Sequence, residues 1–355
     1  MKFAISKPTL ENMLSALQPF LEKRDNSLIT AHILFEAKDE TLTLRATDGE
    51  IGLSVRTTDF TPQESGAFTA NGKKILDVIR ALNDDQISLE GGEESSQIKQ
   101  NRSKYKLPAF NPLLFPEFES ETTDGEITID GQKLIHALRK ISPAIATNNP
   151  KFELNGALID VREGVINVVA TDTKRLAIYK LEQNSSKNYP IIVPKKAIAE
   201  IVKIFTSNLK LYYDETNLTI KNDDYFFCTK VINGRFPDYE RIIPRELKQS
   251  FLLGVDKFIG ALRQVGTLSN EIKITFVDGI IEFEALGDSA EEAKTAIEAE
   301  ISMKEPIAIA VNGKYILDFL TQTQSEKFAI GINESMTPFI LRSESFSTIV
   351  MPIAL

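Results

Sequence analysis

A helix-like stretch, Thr9–Leu17, returns as Asp130–Leu138 and again as Gly254–Leu262. A second, Asn71–Leu76, returns as Val193–Ile198 and Asn312–Leu317. Successive copies of the first lie 121 and 124 residues apart, and those of the second 122 and 119. Two independent markers sharing one period imply three tandem domains of similar build, since a repeat this long is a domain and not a solenoid unit. A chain of 355 residues is also too long for one ordinary core and suits three domains of about 120. Three like domains suggest an arc or ring, so that function lies in the assembled shape.

Each copy reads as strand, helix, strands, then strand, helix, strands. Alternating runs such as Thr41–Ala46, Val165–Val169 and Ile280–Phe283 stand between the helices, and Pro8 suits the first turn of the opening helix. Helices alternate with groups of strands, which predicts an α+β architecture over a parallel doubly wound sheet. Short joins at Ser120–Gly125 and Pro244–Gln249 predict domains at 1–120, 125–245 and 246–355.

Net charge is −9, which argues against nucleic acid wrapping the whole surface but leaves room for a local basic face. The helices supply candidates: Lys73 and Arg80, Lys133 and Lys140, and Lys196 and Lys203 each stand seven residues apart, nearly two turns, on one helical face. The single cysteine, Cys228, excludes an internal disulfide and fits a reducing, cytoplasmic setting; its apolar surroundings predict an inert thiol. No apolar run approaches the ~20 residues that span a bilayer, and no signal peptide is evident, so no membrane is expected.

Catalytic signatures are missing. His32 and His136 stand apart from any cysteine or each other at ligand spacing, and no Walker A loop, GxGxxG, HExxH or GxSxG occurs. Neither metal nor cofactor is expected. Two readings compete with a binding protein: an enzyme acting on nucleic acid with Asp172 on a metal, or a scaffold binding only proteins. Asp48 repeats Asp172 in the first copy, so turn capping is the simpler role for both.

Specific motifs lie in the middle copy, Ala170-Thr171-Asp172-Thr173-Lys174-Arg175-Leu176-Ala177 and Asn233-Gly234-Arg235-Phe236-Pro237-Asp238-Tyr239. The first copy echoes them as Ala46-Thr47-Asp48-Gly49 and Leu114-Phe115-Pro116-Glu117-Phe118, and the chain closes on Val350-Met351-Pro352. Over its full length this pattern resembles the bacterial replicative sliding clamps, the β subunits of DNA polymerase III. The resemblance implies a DNA clamp fold, with helices lining the inside of a ring and antiparallel sheets outside, closed head to tail by a homodimer. It implies a non-catalytic processivity factor encircling double-stranded DNA without reading its sequence. Its partners would be DNA polymerase III and other polymerases, a clamp loader and repair proteins, all docking through a short peptide motif.

The same resemblance implies a peptide groove formed by Leu154, Thr171, Thr173, Lys174, Arg175, Leu176, Pro237, Arg241, Ile242, Asn312, Tyr315, Met336, Val350, Met351, Pro352, Ile353 and Leu355. Leu176, Ile242, Met351 and Pro352 would make an apolar floor, and Arg175 and Arg241 would fix the rim. Lys174 replaces a histidine common in the family, Ala354 replaces an arginine, and Glu271–Ile280 is shortened. DNA contact is expected from Arg24, Lys73, Arg80, Lys140, Lys196 and Lys203, with Asn148 as a polar helper. The dimer contact is expected at Val78, Leu82 and Tyr105 on one side and Thr267 and Leu268 on the other, Val78 and Leu82 sharing a helical stripe.

Overall fold

The computed structural model describes residues 1–119, 125–182, 189–205, 209–287 and 292–354. The join expected at Ser120–Gly125 and the groove residue Leu355 therefore fall largely or wholly outside the described residues. The first copy runs β1 (Lys2–Ser6), α1 (Lys7–Leu17), β2 (His32–Lys38), β3 (Thr41–Thr47), β4 (Ile51–Thr57), β5 (Thr61–Glu64), β6 (Gly66–Asn71), α2 (Gly72–Ala81), β7 (Gln86–Gly91), β8 (Ser95–Gln100) and β9 (Ser103–Pro108). The second runs β10 (Gly125–Ile129), α3 (Gly131–Ile141), β11 (Gly156–Arg162), β12 (Val165–Thr171), β13 (Arg175–Glu182), β14 (Tyr189–Pro194), α4 (Lys195–Ile204), β15 (Leu209–Tyr213), β16 (Asn217–Lys221) and β17 (Tyr225–Lys230). The third runs β18 (Gln249–Gly254), α5 (Val255–Val265), β19 (Glu271–Val277), β20 (Ile280–Ala285), β21 (Lys294–Glu298), β22 (Ile307–Asn312), α6 (Gly313–Gln322), β23 (Lys327–Ile332), β24 (Phe339–Ser343) and β25 (Phe346–Val350). Apart from β5, the three copies follow one order of elements.

Local chemistry explains why the helices start where they do. Ser6 caps α1 by accepting the Thr9 amide at 3.3 Å, and Pro8 occupies the first turn, where its missing N–H costs nothing. Asn71 caps α2 by accepting from the Lys74 amide, and Asn312 caps α6 by accepting from Lys314, each at 3.0 Å. All three caps lie at a strand-to-helix switch, which is why the motif returns with the repeat.

The sheets ignore the copy boundaries. One eight-stranded sheet has the order β10-β15-β16-β17-β4-β3-β2-β6 and another β14-β11-β12-β13-β25-β24-β23-β18. In the first, β17 of the second copy pairs antiparallel with β4 of the first, Gly52 opposite Cys228. In the second, β13 pairs with β25 of the third copy, Leu176 opposite Ile349. Shared sheets divide the chain into two compact units, Met1–Gly131 with Ala199–Val231, and Gln132–Ile198 with Ile232–Leu355. The second copy is split because each of its halves bonds to a different neighbour.

In the first unit, Phe227 of β17 lies edge-on to Phe20 of the first copy at 5.9 Å and to Phe205 at 6.3 Å. All three rings are fully buried. Offset and edge contacts of this kind add to the burial of large apolar area. Phe227→Ala should cost about 3–5 kcal/mol by opening a cavity where two copies meet. Urea unfolding of the purified variant measures this; a loss under about 1 kcal/mol would show that the ring cluster does not hold the junction.

Candidate functional site

The turn between β12 and β13 is built by its own side chains. Asp172 accepts the amides of Lys174 at 3.0 Å and Arg175 at 2.9 Å. Thr171 donates its hydroxyl to the Arg175 carbonyl at 2.6 Å, and Thr173 adopts the left-handed region at φ 76°. Asp48 does the same in the first copy, accepting from Glu50 and Ile51 at 3.0 Å. Both aspartates are turn formers. Among the described residues, no group of three or more His, Cys, Asp or Glu is placed to hold a metal ion.

Beyond the turn, Leu176 and Ile349 lie opposite each other across the β13–β25 junction, so their side chains share one face. The segment 231–242 crosses that face and brings Pro237 and Ile242 to it. Chain leaving β25 is pinned by two backbone bonds, Met351 N–H to the Lys174 carbonyl at 2.9 Å and Ile353 N–H to the Ala310 carbonyl at 2.8 Å. Together these residues enclose a cavity of about 220 Å³ lined by Lys151, Leu154, Thr171, Thr173, Arg175, Leu176, Pro237, Ile242, Ile349 and Met351. Ile242 and Met351 are each 39% exposed, so apolar surface stands open to solvent at its mouth. A concave apolar site with few polar groups suits an apolar anchor on a short peptide.

Eight of the residues expected from the sequence line this cavity: Leu154, Thr171, Thr173, Arg175, Leu176, Pro237, Ile242 and Met351. Lys151 and Ile349 were missed. Val350, expected instead of Ile349, is outside the lining because side chains alternate along a strand and it faces the other way. Asn312 caps α6, and Tyr315 lies beneath the Arg175 guanidinium at 4.5 Å. Arg241 points to solvent, pairs with Asp238 at 2.7 Å and does not line the cavity. Met336 and Lys174 are exposed, and Pro352 and Ile353 half-buried, outside the lining.

Arg175 differs most from its expected role on the rim. It is 8% exposed and donates to Asp172 at 3.1 Å, to Asp318 of α6 at 2.6 Å and to the Pro143 carbonyl. Its charge is spent inside the protein, where it braces β13 of the second copy to α6 of the third. Burial raises the Tyr315 hydroxyl above its ordinary range, so the ring below the cation stays neutral.

The basic residues separate into two kinds. Arg24, Lys73, Arg80, Lys196 and Lys203 are exposed, as is Asn148 at φ 55°. Lys73 and Arg80 line a cleft of about 670 Å³ in the first copy together with Lys23, which the sequence reading passed over. Arg80 also reaches Glu11 at 3.4 Å, and Lys203 reaches Glu200 at 2.9 Å. Lys140 is the correction: it is 5% exposed and donates to the Gln322 carbonyl at 2.7 Å. Its ammonium also lies over the Phe346 and Tyr179 rings at 5.4 and 5.9 Å. Burial lowers its pKa, and the amine serves packing with α6 instead of facing a phosphate.

Of the residues expected at a dimer contact, Tyr105 lies exposed on β9, and Thr267 and Leu268 are exposed just past α5. Val78 is half-buried on α2. Leu82 is not on the helix: α2 ends at Ala81, and Leu82 is the extended C-cap residue, buried in its own domain. No helical stripe joins it to Val78.

Family models match the chain in three consecutive blocks: DNA polymerase III beta subunit, N-terminal domain over residues 1–119, central domain over 128–238 and C-terminal domain over 240–354. The Beta sliding clamp of Helicobacter pylori is 36% identical over 374 residues, covering all of both chains, and that of Vibrio cholerae is 27% identical with the same coverage. The solved Helicobacter pylori beta clamp bound to a DNA ligase peptide superposes with a TM-score of 0.96 at 38% identity, each chain fully covered. The Pseudomonas aeruginosa DNA polymerase III subunit beta superposes at 0.95 with 25% identity.

Replacing Arg175 by methionine should remove the brace while keeping much of its volume. A buried pair broken on one side costs about 3–5 kcal/mol, reduced here to about 1–3 kcal/mol because both carboxylates keep some solvent. Chemical denaturation reads the loss, and Arg175→Met with wild-type stability would show that the cation holds nothing.

Proposed function

The chain belongs to the DNA polymerase III beta subunit family, and on that footing we propose that it is a replicative sliding clamp. In this reading two copies close a ring around duplex DNA and hold polymerases and other replication and repair proteins there through a short peptide motif. The protein is non-catalytic. What it contributes is topology: weak contacts to phosphates keep it mobile, and enclosure keeps it on the duplex.

One observation carries the ring. By the repeat, β4, β13 and β21 are equivalent, as are β9, β17 and β25. Inside the chain, β4 pairs with β17 and β13 with β25. That leaves β9 and β21, each the last strand of its sheet among the described residues. Two edges of the kinds that pair elsewhere in the chain, both open, are what a second copy would close from each side. Charge supports the match, since β9 exposes Lys104 and Lys106 while β20 and β21 carry Glu282, Glu284 and Glu298 against Lys294 alone. Tyr105 lies on β9 itself, and Thr267 and Leu268 just past α5, which packs on β21.

Arg24, Lys73, Arg80, Lys196 and Lys203, with Asn148, remain the proposed DNA contacts, joined by Lys23; Lys140 does not. The cavity around Leu176 and Met351 is the proposed peptide groove. A cytoplasmic setting fits the single thiol, and among the described residues no helix is long and apolar enough to cross a membrane.

The reading is tested on nicked circular DNA. Clamp loaded there should stay bound through gel filtration and be lost once the circle is cut. Lys104→Glu with Lys106→Glu should shift the solution mass toward one chain and abolish retention. Equal retention on circular and linear DNA would refute enclosure.

Removing residues 351–355 takes away Met351 and the pinned segment behind it. Binding of a labelled short peptide with a Leu-Phe end should then fall by at least ~2 kcal/mol, as for loss of a buried anchor contact. The solution mass should not change, because β9 and β21 are untouched. Unchanged affinity in a folded, dimeric truncation would move the peptide site elsewhere.

A further inference from the structure

The groove at the β13–β25 junction has a counterpart at the β4–β17 junction. By the repeat, Leu176 and Ile349 correspond to Gly52 and Cys228, and each pair lies directly opposed across its junction. Opposed residues of an antiparallel pair point to one face, so the first junction has a floor of the same layout, lacking one side chain. A strap crosses it as well: Phe115-Pro116 in the first copy matches Phe236-Pro237 in the second.

That floor is already occupied. A Cβ placed on Gly52 would lie 2.7 Å from the Phe118 ring, so the ring sits where a side chain at position 52 would stand. Phe118 also rests 6.4 Å from the Phe226 ring. The next residue fastens the strap: Glu119 accepts from Arg45 and Arg56 at 3.0 Å each, and from the Ser54 hydroxyl. In the second strap the residue that matches Phe118 is Tyr239. Its hydroxyl donates to Asp160 at 2.6 Å and accepts from Asn167 at 3.2 Å and Arg162 at 3.3 Å. Tyr239 is thereby tied to β11 and β12, and Leu176 and Ile349 are left to line an open cavity.

We propose that Phe118 is a built-in occupant of the first junction's counterpart groove, a specificity-determining residue that closes the floor around Gly52 and Cys228 to a partner's anchor. The inference rests on reading the second junction as the peptide groove. Residues 114–118, a weak echo of the second copy's motif, then have a role: they supply in cis what a partner supplies at the other junction.

Cys228 is the reporter, being the sole cysteine and half-buried on that floor. Burial pushes its thiol up to about 12, so labelling of the intact protein should be slow. In the full-length dimer, Phe118→Ala should speed maleimide labelling of Cys228 roughly tenfold or more by removing the cover. N-acetylphenylalaninamide should slow labelling of the variant and leave the wild type unaffected. If Phe118→Ala folds poorly, Gly52→Ala is the second route, since its methyl group must displace the ring and should raise labelling with the aromatic retained. Labelling of either folded variant at the wild-type rate, or no protection by the amide, would overturn the proposal. A Leu-Phe peptide titrated in parallel reports on the other groove. Its failure to bind the wild type would defeat the groove reading without altering the Cys228 rates.

Discussion

Antiparallel pairing between the edges of neighbouring repeats governs most of what this chain does. An exposed strand edge is a row of unmet donors and acceptors that invites another strand. Here the repeats answer that invitation among themselves, β4 with β17 and β13 with β25. The proposed peptide groove is a by-product of such a junction, because Leu176 and Ile349 meet only when β13 and β25 align in register. The same register places Arg175 opposite Val350, from where it reaches Asp318 on α6. The proposed ring extends the rule to the two edges left over.

Much of the architecture could be read from the chain because it is repeated there. The period, the capped helix starts and the α+β alternation are local properties, visible within a few residues of each marker. The turn role of Asp48 and Asp172 was equally legible, since an Asx side chain bonds amides two and three residues ahead. What escaped depended on partners remote in sequence. Lys133 and Lys140 share a helical face by spacing, yet Lys133 is exposed while Lys140 is buried against the rings of Tyr179 and Phe346 and the end of α6. Spacing along one helix cannot report what packs against it. Ile349 was passed over for Val350 because strand alternation decides facing, and a one-residue offset reverses it. Leu82 keeps the i, i+4 spacing to Val78 but lies one residue past the last turn of α2, where that spacing no longer sets a shared face.

The two arginines expected on the groove rim illustrate how burial reassigns a charge. Arg241 stays in water with Asp238 and contributes little there. Arg175, nearly buried, must be fully partnered, and two carboxylates, a carbonyl and an aromatic face meet that demand. Such an arginine shapes a site by holding its walls, and its contribution to ligand binding is indirect.

The pairing of β4 with β17 also sets a timetable for biosynthesis. Val55 of β4 is matched with Tyr225 of β17, a separation of 225 − 55 = 170 residues. At ~5–20 residues per second, the edge of β4 emerges from the ribosome on the order of ten or more seconds before its partner exists. During that interval the run Ile51–Val55 has β3 on one side and nothing to bond on the other. Non-local pairing of this kind slows folding and leaves sticky edges in transit. Pairing across that separation therefore leaves each new copy with one unmatched strand edge while it is being made.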